Sequence, residues 1–256
     1  MTPMPRSNPW FVYPKPNPRA RLRLFCFPYA GGGSGIYRDW TTGVLETTEV
    51  WRIRLPGRES RLAEPAFTRL EPLVTALAQA ILPYLDMPFA FFGHSMGGLI
   101  SFELLRELRR QHAPAPVRLC VSGHRAPHLP RRRPPIHHLP TSEFIVQLRR
   151  LNGTPEAVLH NEELMRLFLP ILRADFAMFE TYAYTAEYPP LACPISVFGG
   201  RQDPEVSYDE LAAWRDHTCS AFIQRMLTGD HFFLHSAQAL LLQALNQDLA
   251  ESLATP

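Results

Sequence analysis

Five residues, Gly93-His94-Ser95-Met96-Gly97, carry the spacing G-x-S-x-G between two segments of opposite character. Phe89-Ala90-Phe91-Phe92 is a short apolar run, read as a buried strand. From Leu99 to Arg110 a Leu-rich face and an Arg/Glu face recur at helical period. A serine at so sharp a strand-to-helix turn is pushed out of the sheet. The first amides of the helix then point at a reacting carbonyl. Two residues before and two after the serine the backbone leaves no room for a side chain, which accounts for both glycines. The hydroxyl becomes a nucleophile only when a base takes its proton, and the base must itself be oriented.

The strand–turn–helix setting of this pentapeptide resembles the nucleophile elbow of α/β-hydrolases, in which the acid and then the histidine follow the serine along the chain. Asp203, in Gly199-Gly200-Arg201-Gln202-Asp203-Pro204, stands just past the strand-like run Ile195–Phe198. Such sheets deliver functional groups from the carboxyl ends of their strands. Asp230 is the main competitor, while Asp209 and Asp216 fall in the helix that follows. Among ten histidines, His231 in Thr228-Gly229-Asp230-His231-Phe232-Phe233 follows the last strand and precedes the C-terminal helix. His235 is one turn further on, His137 and His138 precede Asp203, and His94 is expected to pack or hydrogen-bond within the elbow. Ser95, Asp203 and His231 are therefore the candidate catalytic residues.

A developing oxyanion needs two N–H donors. One is expected from Met96, directly after the nucleophile. Pro28-Tyr29-Ala30-Gly31-Gly32-Gly33 follows the run Leu22–Phe27 and assigns the second to Ala30, with Tyr29 beside it. Glycines there allow close approach of the backbone. The same loop is not a phosphate cradle: no Gly-Lys-Ser/Thr follows it, and Ile36 breaks a G-x-G-x-x-G spacing.

These groups need a scaffold. Strands are expected near Trp10–Tyr13, Leu22–Phe27, Val50–Arg54, Phe89–Phe92, Val117–Ser122, Ile195–Phe198 and Ala221–Leu227. Helical patterns lie near Ile36–Gly43, Leu70–Leu85, Met96–Gln111, Ser142–Leu151, Glu162–Tyr184, Tyr208–Asp216 and Ser236–Leu253. The alternation predicts one α/β domain over residues 1–256, a mostly parallel sheet with helices on both faces. It breaks between Ser122 and Ile195, where an insertion over about 126–188 is expected to be a helical lid. Phe144, Leu148, Leu167, Phe168, Phe176 and Phe179 are spaced there as a helical stripe, either ordinary core or the wall of an acyl channel.

With 26 basic and 24 acidic side chains, net charge +2, the composition gives no reason to expect nucleic-acid binding. The 46% hydrophobic share suffices for a sizeable core. Cys26, Cys120, Cys193 and Cys219 show neither C-x-x-C nor metal-ligand spacing and are expected reduced. No metal is expected. Met1 to Arg19 is Pro-rich without an apolar core, so it does not read as a signal peptide. No run is long enough to cross a bilayer. A cytoplasmic, free-standing protein, a monomer, is expected.

Together the segments resemble the type II (editing) thioesterases that accompany polyketide synthases and nonribosomal peptide synthetases. The resemblance rests on Leu24-Phe25-Cys26-Phe27-Pro28-Tyr29-Ala30-Gly31-Gly32, Arg54-Leu55-Pro56-Gly57-Arg58-Glu59, Phe92 to Gly98 and Gly229-Asp230-His231-Phe232-Phe233-Leu234. Pro135 to Pro140, Leu151 to Pro155 and Leu169 to Phe176 look like the family's lid segments. The resemblance implies hydrolysis of acyl thioesters on the phosphopantetheine arm of acyl or peptidyl carrier proteins, with no cofactor of the enzyme's own. It also implies Ser95 as nucleophile, His231 as base, Asp203 as its orienting carboxylate and the Ala30 and Met96 amides as oxyanion hole. Tyr29, Phe144, Phe176 and Phe179 are the candidate substrate-binding residues. Arg131-Arg132-Arg133 and Arg106, Arg109 and Arg110 are either a solvated charge run or a surface for an acidic carrier protein. A medium-chain fatty acid thioesterase, a small-molecule carboxylesterase and a catalytically silent binding module remain alternatives.

Overall fold

The structure is a computed structural model describing residues 8–13, 16–186 and 188–254. Part of the Pro-rich start, residues 1–7, 14 and 15, lies outside them. Seven strands form one sheet: β1 (Phe11–Val12), β2 (Leu22–Phe27), β3 (Thr48–Ile53), β4 (Phe89–His94), β5 (Arg118–Ser122), β6 (Ile195–Gly200) and β7 (Phe222–Leu227). Their order is β1-β3-β2-β4-β5-β6-β7, and only β1 runs antiparallel to its neighbour. The fold is that of an α/β-hydrolase.

Central strands covered on both faces read as unbroken apolar runs, and β2 and β4 are buried at every residue. Successive side chains go to opposite faces. Phe25, Phe27, Phe89 and Phe91 join one core with α1 (Leu70–Ile81) and α2 (Met96–Arg110). Leu22, Leu24, Cys26, Ala90 and Phe92 join another with Tyr37, Trp40 and the C-terminal helix.

Between β5 and β6 lie α3 (Thr141–Leu151), the four-residue α4 (Glu156–Leu159) and α5 (Glu162–Glu180). They gather their own core around Phe144, Leu148, Leu172 and Phe176. Beyond β6 come α6 (Tyr208–Ala212) and a 3-10 turn to His217; beyond β7 come α7 (Phe233–Ser236) and α8 (Gln238–Ala254). The expected single helix Tyr208–Asp216 is thus an α-turn continued as 3-10. The expected C-terminal helix Ser236–Leu253 is α8, with the short α7 before it, and α5 stops four residues short of Tyr184.

Three strands, β3, β4 and β6, run past their expected bounds by two residues at one end, for a simple reason. The ladder is made by backbone, so polar or glycine residues at strand ends belong to it without contributing to the apolar pattern. Gly199 and Gly200 pair with Met226 and Leu227, Gly93 and His94 with Val121 and Ser122, and Thr48 with Leu22.

Candidate active site

Ser95 joins β4 to α2 at φ 51°, ψ −119°, a strained conformation for a residue with a side chain. Two hydrogen bonds over-determine it. Its N–H donates to the Ser122 carbonyl at 2.7 Å, and its own carbonyl accepts from Gly98 N–H at 2.9 Å. A Cβ on Gly93 would collide with the Gly97 carbonyl, and one on Gly97 with the Phe27 carbonyl. Both glycines are therefore dictated by backbone crowding.

His231 and Asp203 arrive from neighbouring strand ends. The Gln202 N–H donates to the Gly229 carbonyl at 3.0 Å, and the Gly229 N–H donates back to Gln202 Oε1 at 2.6 Å. This lacing brings His231 Nδ1 to 2.8 Å from Asp203 Oδ2. Asp203's side chain is fully buried, and its other oxygen accepts the Glu205 and Val206 N–H groups at 2.7 and 3.2 Å. A carboxylate only accepts, so Nδ1 carries a proton, and in the neutral imidazole Nε2 is then the nitrogen with the free lone pair. Asp230, the competing acid, does not contact the imidazole among these bonds. It accepts from Phe232 N–H and from Asn152 Nδ2, turning the loop and meeting α3's end. Asp216 is largely exposed, as is Asp209.

Ser95 and His231 line one cavity of about 530 Å³, together with Tyr29 and Ala30. Among the described residues the Ser95 hydroxyl makes no hydrogen bond. Catalytic hydrogen bonds commonly tighten only with substrate. Met96 opens α2, so its N–H has no carbonyl a turn earlier to bond.

Ala30's amide is set by a turn. Gly32 N–H donates to the Tyr29 carbonyl at 2.9 Å. Tyr29 C=O and Ala30 N–H belong to one planar trans peptide and point opposite ways. The Ala30 N–H is thereby turned outward from that turn, and Ala30 borders the cavity.

His94 packs and bonds as expected, its Nδ1 2.9 Å from Ser122 Oγ. Burial, and then the nearby His231 and His235, push it well below the usual histidine range. Tyr29 OH lies 3.1 Å from His235 Nε2, and its ring packs on Phe232.

Of the expected substrate-binding residues, Tyr29, Phe176 and Phe179 line the cavity with Leu148 and Leu172. Phe144 does not. It is fully buried, its ring edge-on to Phe176 at 5.6 Å and under the Arg173 guanidinium. Leu167 points to solvent, 53% exposed. The arginine runs are engaged internally. Arg132 pairs with Glu210, Arg133 with Glu205, Arg106 with Glu103 and Arg110 with Glu107, while Arg109 donates to the Pro189 and Pro190 carbonyls.

Two residues matter that sequence reading gave no role. Arg58 and Asp175 form a buried pair at 2.7 and 2.9 Å against the Ala30 loop. The available signal was Asp175 itself, a carboxylate between Leu172 and Phe176 on an apolar helix face, a position that demands a buried cation.

A model of the thioesterase domain matches residues 22–249. The chain is 47% identical to linear gramicidin dehydrogenase LgrE of Brevibacillus parabrevis, covering 94% of this chain and 92% of that protein. It is 45% identical to gramicidin S biosynthesis protein GrsT of Aneurinibacillus migulanus, covering 97% of each. The solved type II thioesterase BorB from the borrelidin biosynthetic cluster superposes with a TM-score of 0.86 at 34% identity, covering 96% of this chain and 99% of that one. The chain belongs to the thioesterase family, and its likeness is to the type II thioesterases of nonribosomal peptide and polyketide pathways.

Proposed function

We propose that this enzyme hydrolyses acyl thioesters held on the phosphopantetheine arm of carrier proteins, clearing aberrant or stalled groups from a polyketide or nonribosomal peptide synthase. The observation that carries the reading is that His231, held by the buried Asp203, opens onto the same cavity as Ser95 in a chain of this family.

Ser95 Oγ attacks the thioester carbon while His231 Nε2 takes its proton. The oxyanion that forms is held by the Ala30 and Met96 N–H groups. Collapse breaks the C–S bond, and the sulfur leaves with the proton from His231. Water then attacks acyl-Ser95, giving its proton to His231, which returns one to Ser95 Oγ as the free acid departs. Asp203 fixes the tautomer and steadies the imidazolium between the two proton transfers. A thiolate leaves more readily than an alkoxide, so the first collapse needs little acid assistance.

The three-helix insertion serves as the lid, with Phe176 and Phe179 against the acyl chain. This chemistry calls for no metal or cofactor of the enzyme's own. On this reading the enzyme is a cytoplasmic monomer with carrier proteins as partners, and its four cysteines are free thiols. The test is turnover of acyl groups on a holo carrier protein against the matching p-nitrophenyl esters. Preference for the carrier substrate supports the proposal; efficient ester cleavage with an inert carrier substrate favours a carboxylesterase.

A further inference from the structure

Three segments far apart in the chain meet at one buried ion pair. Arg58, on the loop after β3, sends Nη1 to Asp175 Oδ2 at 2.9 Å and Nη2 to Asp175 Oδ1 at 2.7 Å. Asp175 lies on α5 of the insertion, 1% exposed, and Arg58 is 5% exposed. Both partners also grip the loop after β2. Asp175 Oδ2 accepts the Gly31 N–H at 2.7 Å, and Arg58 Nη1 donates to the Gly32 carbonyl at 2.8 Å.

Those contacts hold the Ala30–Gly31 and Gly32–Gly33 peptide groups. Gly31 sits at φ 75°, and a Cβ there would lie 2.5 Å from Leu172 Cδ2, so α5 packs close enough on the loop to leave no room for a side chain. Glycine at such a φ is free to flip. Its N–H is fixed because a charged, buried acceptor that is itself held by a two-pronged guanidinium leaves it no better partner. The Tyr29–Ala30 peptide, whose N–H is turned outward from the turn, is one link from this clamp.

We propose that Arg58 and Asp175 are positioning residues for the Ala30 oxyanion donor. Through them the insertion and the oxyanion hole are one mechanical unit: the donor is set only while α5 is seated. A shift of α5 breaks the Asp175–Gly31 bond and frees the Ala30–Gly31 peptide, the direct neighbour of the one that carries the donor. The inference rests on the thioesterase reading above and adds residues outside the Ser–His–Asp set.

The experiment compares wild type with Asp175→Asn, which keeps shape and an acceptor but loses the ion pair, and with Arg58→Lys, which keeps charge but loses the fork. Folding is checked by thermal melts, and active sites are counted by complete fluorophosphonate labelling of Ser95. Three ligands are used: an acyl-pantetheine thioester, its trifluoromethyl ketone and its thioether. Ser95 adds to the ketone to form a tetrahedral oxyanion; the thioether has no such centre. Removing a whole oxyanion donor costs roughly 10²- to 10³-fold in kcat, so mispositioning one should cost about 10- to 100-fold.

The expected result is that kcat and ketone affinity fall together by that factor in Asp175→Asn, while thioether affinity stays within about twofold and the acid limb of the pH profile is unmoved. Arg58→Lys should fall between, and it carries the comparison alone if Asp175→Asn does not fold. Folded variants with kcat within about twofold of wild type, or with ketone and thioether affinity falling equally, would overturn the inference. Wild-type turnover separates the two levels. Active wild type with indifferent variants overturns the clamp alone, whereas inactive wild type overturns the hydrolase reading and the clamp with it.

Discussion

His231 Nδ1 meets Asp203 Oδ2 at 2.8 Å, and the carboxylate's second oxygen is filled by two backbone N–H groups. The neutral imidazole is therefore held as one tautomer, with its proton on Nδ1. Asp203→Asn would place an amide where the carboxylate accepts and favour the opposite tautomer. A loss of roughly 10⁴-fold in kcat is expected with little change in melting temperature. Steady-state kinetics on an acyl-pantetheine thioester check it. Activity within tenfold of wild type would mean that another group orients His231.

Phe176 and Phe144 touch edge to face, yet only Phe176 reaches the cavity. Their substitutions should separate. Phe176→Ala is expected to change chain-length preference in a panel of acyl-pantetheines while the protein stays folded. Phe144→Ala should instead cost about 3–5 kcal/mol of stability, as expected for emptying a buried aromatic site. Equal melting temperatures, or an unaltered preference in Phe176→Ala, would contradict this division.

The fold's response to acid follows from histidines held neutral. Burial pushes His124 down to about 3, and burial together with His128 pushes His217 down to about 4; His94 is also lowered. Unfolded, each would titrate near the ordinary value of about 6.5. Between about pH 4 and 6.5 the unfolded chain thus binds more protons than the native one, so stability is complete above that window and is lost as pH falls through it. Urea midpoints at pH 7 and pH 5 measure the loss, which His217→Gln should lessen. A midpoint that is level or higher at pH 5 would contradict it.

The elements that position chemistry were legible where one residue type has one physical use. Gly93 and Gly97 flank a turn with no room for Cβ, and β4's aromatic run admits only a two-sided core. Asp203 and His231 could be placed because strands were read well enough to say which loop ends where. What sequence could not give is contact between remote segments. Asp230 adjoins the base in sequence but faces Asn152, whereas Asp175, remote in sequence from the Ala30 loop, holds its backbone. Periodicity also marks Phe144 and Phe176 alike, because it reports burial and does not say whether the buried face meets protein or an empty channel. Arg131-Arg132-Arg133 was ambiguous for a related reason: its charges are visible in sequence, the partners Glu205 and Glu210 of Arg133 and Arg132 are not.

The central claim is that the acyl group passes through Ser95. The most direct measurement is rapid quenching of the enzyme with an acyl-loaded carrier protein, followed by mass spectrometry of its peptides, in wild type and Ser95→Ala. The account predicts an acyl adduct on the Ser95 peptide within the first turnover. It also predicts a kcat lowered by roughly 10⁴- to 10⁶-fold in the variant. Hydrolysis that continues in Ser95→Ala at near-normal rate, or an adduct on another residue, would contradict it.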